Sequence, residues 1–309
     1  MEDLNEQANL LRQVRLALQS EDFMGAFSAL NGLIALAETR EDWGAAARHL
    51  GNLALTYYRT SNPVRAVESF VQGIQYARRE GDQATETGLL GNMGNILREM
   101  KHYEEAIKCL NEALLISQSL GDLRGRGIWL ANLGLVYDDL KQFAEAADYH
   151  EDSVDIARQL QDRTNLAARL GNLGNSLVAS GAMDEALLAF SESADLYKSI
   201  GRNHDAALHL SIMGNLYAQR GRSTLDRVLA IPFFASALEN YQGAVLIARN
   251  LHDFASEADL LRHIGHVLLD LGQTTDAKQY LQAAAHYFTQ LNLPHKLAEV
   301  NALLRTVNR

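Results

Sequence analysis

The sequence predicts an all-α chain, a solenoid of about seven helical hairpins closed by one further helix. Three observations predict it. A Leu-Gly-Asn element recurs in one register, with its asparagine at Asn52, Asn92, Asn132 and Asn172. Alanines keep the same interval at Ala26, Ala66, Ala106, Ala146 and Ala186, then reappear at Ala237 and Ala277 after an 11-residue delay. Only 3 prolines occur in the chain, so few helices need to be broken. A constant period of about 40 residues is the mark of a stacked-repeat architecture.

Each period reads as a helix A, a short turn, a helix B and a second short turn. The units fall at roughly 5–40, 43–80, 83–120, 123–160, 163–200, 203–251 and 254–291. The first is atypical, with Val14 where most later units carry Gly, as suits a terminal repeat. Asp42, Asp82, Asp122, Asp162 and Asp253 stand at the joints between units. Most of these immediately precede a new helical pattern. A short carboxylate there satisfies free backbone N–H groups and complements the helix dipole. A large apolar or aromatic residue (Phe23, Tyr103, Phe143, Met183, Phe234) lies three positions before most of the alanines. The segment 294–307 reads as a capping helix, with Pro294 suited to its first turn and Leu297, Val300 and Leu304 on one face. No stretch has linker composition, so 1–309 is read as one solenoid domain.

The element is costly where it is fullest. Leu170-Gly171-Asn172-Leu173-Gly174-Asn175 puts two glycines into a segment whose flanks read as helix. Each costs roughly 1 kcal/mol relative to Ala. Gly174 lies 12 positions before Ala186, so small residues on both helices of the hairpin are expected to allow a close approach.

Composition narrows the function. The formal net charge is −10, which argues against a binder of phosphate backbones and hence of nucleic acid. No stretch approaches ~18 consecutive apolar residues, so no membrane span is expected. The N-terminus MEDLNEQANLLRQ lacks an apolar signal-peptide run, and Cys109 is the only cysteine. Both fit a cytoplasmic protein without disulfides. There is no phosphate loop, nucleophile elbow or paired-carboxylate arrangement, so no catalytic residue, cofactor or enzymatic activity is expected. His263 and His266 are i,i+3, but no carboxylate or Cys completes a metal set in register. Cys109 reads as a small core residue, and Trp43 and Trp129 read as packing anchors.

The pattern Leu133-Gly134-Leu135-Val136-Tyr137, with Phe143 and Ala146-Ala147, resembles the tetratricopeptide repeat (TPR) family. Two departures are visible. The period exceeds the roughly 34 residues usual for the family. A Gly-Asp joint such as Gly121-Asp122 replaces the usual Pro. This longer form is similar to the repeats of Pins-type adaptors and of bacterial regulatory proteins. The resemblance implies a right-handed superhelix with the A helices on its concave side. It also implies a protein or peptide partner held there by asparagines.

On that face the candidate peptide-binding residues are Asn52, Asn92, Asn132 and Asn172, with Asn95, Asn175 and Asn215 one turn on. A primary amide both donates and accepts, so it can pair with an extended backbone whatever its side chains. The alternative is that each Asn bridges neighbouring A helices. Arg98 and Arg169 would give direction to the peptide; Arg48, Arg59, Arg126, Glu99, Asp138 and Asp139 lie near the same face. No Lys lies beside the asparagines, which argues against the family's clamp for a C-terminal carboxylate. The favoured function is a non-catalytic scaffold that binds a peptide segment in the concave groove. The alternatives are a regulatory or sensor domain gating an effector enzyme or transcription factor, and a purely structural or oligomerising solenoid. The 11 extra residues, within 220–232, are expected as a loop plus a longer helix B, or else as a flap over the ligand.

Overall fold

The computed structural model describes residues 2–307, in which every regular element is an α-helix. In chain order these are α1 (Glu2–Gln19), α2 (Phe23–Thr39), α3 (Trp43–Arg59), α4 (Pro63–Glu80), α5 (Gln83–Glu99), α6 (Tyr103–Leu120), α7 (Leu123–Asp139), α8 (Phe143–Gln159), α9 (Arg163–Ser180), α10 (Met183–Ser199), α11 (Asn203–Ser223), α12 (Arg227–Asn250), α13 (Phe254–Asp270), α14 (Thr274–Gln290) and α15 (Pro294–Val307). Odd-numbered helices up to α13 are the A helices, and even-numbered ones the B helices. The chain divides into two compact units, residues 1–156 and 157–309, with the boundary inside α8.

The joints are nearly identical. All five predicted aspartates cap a helix: their side chains accept the backbone N–H of Ala45, Thr85, Gly125, Asn165 and Ser256 at 2.8–3.1 Å. The residue before each of these caps is left-handed. It is Gly at 81 and 121 (φ 75° and 68°), but Glu41, Gln161 and His252 adopt the same conformation at the others. The cap N–H then reaches back to close the preceding helix, as from Asp82 to the Ala77 carbonyl at 2.9 Å. This reversal stops a helix with one residue and starts the next with its neighbour.

Inside each hairpin the packing exchanges size between the helices. The repeating alanines of helix B, Ala26 through Ala277, are fully buried. Opposite the small residue of helix A stands a large residue of helix B, 16 positions on in most units. A Cβ added to Gly94 would meet Leu110 at 2.8 Å, to Gly134 the His150 ring at 2.5 Å, to Gly174 the Phe190 ring at 2.8 Å and to Gly265 Leu281 at 2.7 Å. All four partners are fully buried. His150 therefore fills a hydrocarbon position, and its Nε2 is tied to Asp138 at 3.0 Å.

The first glycine of the element has a different partner. A Cβ on Gly51 would meet Leu89 at 2.6 Å, on Gly91 the Trp129 ring at 2.1 Å and on Gly171 the His209 ring at 2.8 Å. Each of these lies on the next A helix. One glycine thus seats the hairpin partner and the other seats the following repeat. Ser153 and Ser193 add a repeat-specific lock, each hydroxyl donating to an A-helix carbonyl earlier in the chain (Gly127 at 2.9 Å, Ala167 at 2.6 Å). Across the turn between hairpins, Arg78 pairs with Glu86 at 2.6 Å and Arg249 with the buried Glu257 at 2.7 Å. Within the units α3 packs on α5, α5 on α7 and α11 on α13. No pair among α2, α4 and α6, or among α10, α12 and α14, packs as closely. The A side is therefore the inner side of each unit's curve.

Of the loop plus longer helix B expected at 220–232, the longer helix B is present and the loop is corrected. Only 224–226 lies outside helix. The extra residues lengthen α11 to 21 residues and α12 to 24, against 17 in α3, α5 and α7. The additions are about one turn and two turns, so both helices keep their facing sides in register. The size exchange simply continues: Gly221 faces Phe234 as Gly214 faces Tyr241, at 2.7 and 2.6 Å for the added Cβ. Asp226 caps α12 through the N–H groups of Val228 and Leu229. Pro232 is accommodated within the helix. At the far end α15 covers the last hairpin with fully buried Val300, flanked by Leu297 and Leu304.

This packing predicts opposite effects at two glycines. Gly174→Ala should destabilise by about 1–2 kcal/mol, because the overpacking against Phe190 exceeds the gain in helix propensity. Gly88→Ala, in a helix with nothing within 4 Å of the new Cβ, should instead stabilise by about 0.5–1 kcal/mol. Urea unfolding of both variants checks the pair, and equal effects would refute the size exchange. Burial also holds His49, His209, His263 and His266 below the usual imidazole pKa, His263 at about 4. Between about pH 6.5 and 4 the unfolded chain then binds protons that the native chain does not, so stability falls as pH falls. Melting temperature should drop over that window. His209→Leu, which copies Leu89 and Leu260 at the equivalent positions, should flatten the slope; an unchanged slope would remove His209 from the account.

Candidate functional site

The rotation of helix A fixes which residues face the inner side. The second glycine points at helix B, and two residues are about 200° of rotation, so the Asn two positions earlier points away from B. The residue three further on shares that side. In the first unit this places Asn52, Asn92, Asn132 and Asn95 on the inner face. In the second it places Asn172, Asn175, Asn215, His263 and His266 there.

Their surroundings differ. Asn52, Asn175 and Asn215 are exposed, while Asn92, Asn95, Asn132 and Asn172 are half-buried. The Asn132 Nδ2 is shielded and has no hydrogen-bond partner among the described residues. Asn215 is engaged internally, its Oδ1 accepting the Tyr241 hydroxyl at 2.7 Å. The Arg98 guanidinium stands 3.5 Å from Asp139, and its shielded Nε makes no hydrogen bond among the described residues. Arg169 is only 7 % exposed, and burial lowers its pKa against the opposing pull of Asp162. It sits at the position that Leu89, Trp129 and His209 occupy in other repeats, which is a packing position.

Several neighbouring charges are already partnered. Arg48 meets Asp82 at 3.2 Å, Tyr58 donates to Glu99, and Asp138 holds His150. Arg59 lies over the Phe23 ring at 5.4 Å. These pairings cross between repeats or between the helices of a hairpin, and sequence spacing alone gave no sign of them. The partners of the first glycine did carry a signal. Each keeps one offset from it (51 to 89, 91 to 129, 171 to 209), which would have flagged Leu89, Trp129 and His209.

The remaining candidates resolve into packing. His263 stacks on Tyr241 with centroids 5.3 Å apart, and its Nε2 lies 3.2 Å from Arg262. Among the described residues no group of three or more His, Cys, Asp or Glu side chains is placed to hold a metal ion. Burial pushes the Cys109 thiol up to about 11, the reverse of what a nucleophile needs. Trp129 covers Gly91 and donates to Ser117 at 3.1 Å. Trp43 is covered by the Arg79 guanidinium at 3.7 Å and edged by Tyr76. In the second unit the inner face is indented by a pocket of about 180 Å³ between α11 and α13, lined by His204, Leu208, Ser211, Asp253, Asp259 and His263. No described helix is long and apolar enough to cross a membrane.

Comparison with known proteins agrees with this architecture. The tetratricopeptide repeat family profile matches residues 85–159. No curated protein matches the chain in sequence. Among solved structures, a signal-transduction ATPase with numerous domains that carries a tetratricopeptide repeat sensor, from Pyrococcus horikoshii, superposes with a TM-score of 0.67 at 13 % identity. That match covers 98 % of this chain and 49 % of the other. Aspartyl phosphate phosphatase F from Bacillus subtilis gives 0.62 at 14 % identity, covering 93 % and 71 %. The apo form of RapI gives 0.60 at 14 % identity, covering 93 % and 99 %. At such identities the likeness is one of fold. With the profile match at 85–159 and the same hairpin repeated on either side of it, the chain has the fold of a tetratricopeptide-repeat solenoid.

Proposed function

We propose that this chain is a non-catalytic interaction scaffold whose inner, A-helix face binds an extended peptide segment of a partner protein. The tetratricopeptide repeat fold itself supports a protein-interaction scaffold. The observation that carries the finer reading is Asn132, whose shielded Nδ2 has no partner among the described residues. A buried donor left unpaired costs about 1–3 kcal/mol, so an incoming carbonyl has a site prepared for it. Asn92 and Asn172 stand at the equivalent position of their repeats and are similarly half-buried. Amides of this kind recognise backbone, while direction comes from Arg98. Arg169, being recessed, contributes by holding its helix in place.

A second reading, a sensor domain that gates an effector, is favoured by one observation. The Pyrococcus horikoshii protein is described as carrying a tetratricopeptide repeat sensor, and this chain spans about half of it. Both readings place a ligand on the inner face and differ in what binding does.

The test compares capture from source-cell lysate by the wild type and by an Asn92→Ala, Asn132→Ala, Asn172→Ala variant with unchanged helicity and melting. A partner held by the wild type should be lost, with affinity reduced by about tenfold per asparagine. Equal capture by the folded variant would move binding off this face.

A further inference from the structure

We propose that a second copy of this chain docks the tip of its α11–α12 hairpin into the apolar groove between α4 and α6. Two apolar features on the outside of the molecule lack a partner, and their shapes are opposite. The first is the tip itself. Leu225 is fully exposed, Val228 is 72 % and Leu229 63 % exposed. With Pro232 they follow i, i+3, i+4, i+7 spacing from the turn into α12. This is the anchor pattern of a helix that enters a groove. The hairpin extension is otherwise well packed, with Gly221 against Phe234. Its apolar stripe is thus held rigidly away from its own core.

The second feature is a groove of about 470 Å³ in the first unit. Val64, Val67 and Val71 of α4 form one wall, and Met93 and Leu97 of α5 with Met100, which caps that helix, form the floor. The α4 residues keep the same helical spacing as the tip. Val64 and Val71 are 57 % and 43 % exposed, so this wall presents aliphatic side chains to solvent. α6 stands apart as the other wall, tied to α4 by the Arg78–Glu112 pair at 2.6 Å.

Charge agrees with this pairing. Arg227 beside the stripe and Glu68 on the groove wall make no ion pair among the described residues; Glu105 and Lys108 in the same groove offset each other, and Asp226 at the tip is engaged in capping α12. An anionic lipid surface is the poorer occupant for the tip. Arg220 and Arg222 are already neutralised by Asp184 and Asp270, and the chain carries a net charge of −10. Because tip and groove are different surfaces, the contact is head-to-tail and leaves a free tip and a free groove on every assembly that does not close into a ring. A tip contact is small, so the association is weak and rises with concentration.

Sedimentation over a concentration series tests this with three proteins: the wild type, a tip variant (Val228→Asp, Leu229→Asp) and a groove variant (Val64→Asp, Val71→Glu). All four positions are exposed, and unchanged helicity confirms folding. The wild type should associate progressively, and each variant alone should stay monomeric. An equimolar mixture of the two variants should stop at a dimer, because only one tip and one groove remain. A monomeric wild type, association that survives in either variant, or a mixture that stays monomeric would overturn the proposal. So would sedimentation of the wild type with phosphatidylglycerol vesicles that is lost in the tip variant without any self-association, which would assign the tip to a lipid surface.

Discussion

The structure depends on an exchange of size between facing helices. From α5 to α13 each A helix gives up a side chain where it crosses its B helix, and the B helix fills the space with Leu110, His150, Phe190, Tyr241 or Leu281. A close-packed interior transmits small volume changes, so this contact fixes how near the helices lie and at what angle. The partner need not be hydrocarbon. His150 and Tyr241 fill the same volume as Phe190 and extend a polar atom to Asp138 and Asn215 respectively. The repeat tolerates chemistry that varies from unit to unit because the constraint is volume.

Stacking uses the same device a second time. The first glycine of the element receives a side chain from the next A helix, which brings the A helices together. The B helices gain no comparable contact and stand apart. Within each unit, curvature, an inner face carrying the asparagines and open outer grooves follow from placing the glycines of the element on the A helices. Glycine loses about 1 kcal/mol of helix propensity at each such position. The contacts it permits offset that cost.

The reversals between helices are set by backbone conformation and not by one residue type. Glu41, Gln161 and His252 adopt the left-handed conformation that glycine takes at 81 and 121. The hydrogen bond from each cap back to the preceding helix, and the capping side chain, hold them there. The extended α11–α12 hairpin has no left-handed residue at its turn. It is also where the period breaks, which shows that added helix length is absorbed in whole turns when the facing residues allow it.

Sequence by itself determined the repeat, its hairpin unit, the aspartate caps, the buried alanines and the closing helix. Those depend on local propensity and on the constant spacing of the repeat, both written along the chain. It also placed the asparagines on one side of helix A, since helical rotation is fixed. Tertiary structure decided what each of them meets. Asn215 is taken by Tyr241, Asn132 is left with a donor that has no partner among the described residues, and Arg169 is drawn into a packing position that Leu, Trp or His fills elsewhere. It also turned the expected loop at 220–232 into helix, because Gly221 and Phe234 continue a contact that only the paired helices create. Side-chain partners from different repeats lie far apart along the chain. Their geometry exists only once the hairpins have stacked.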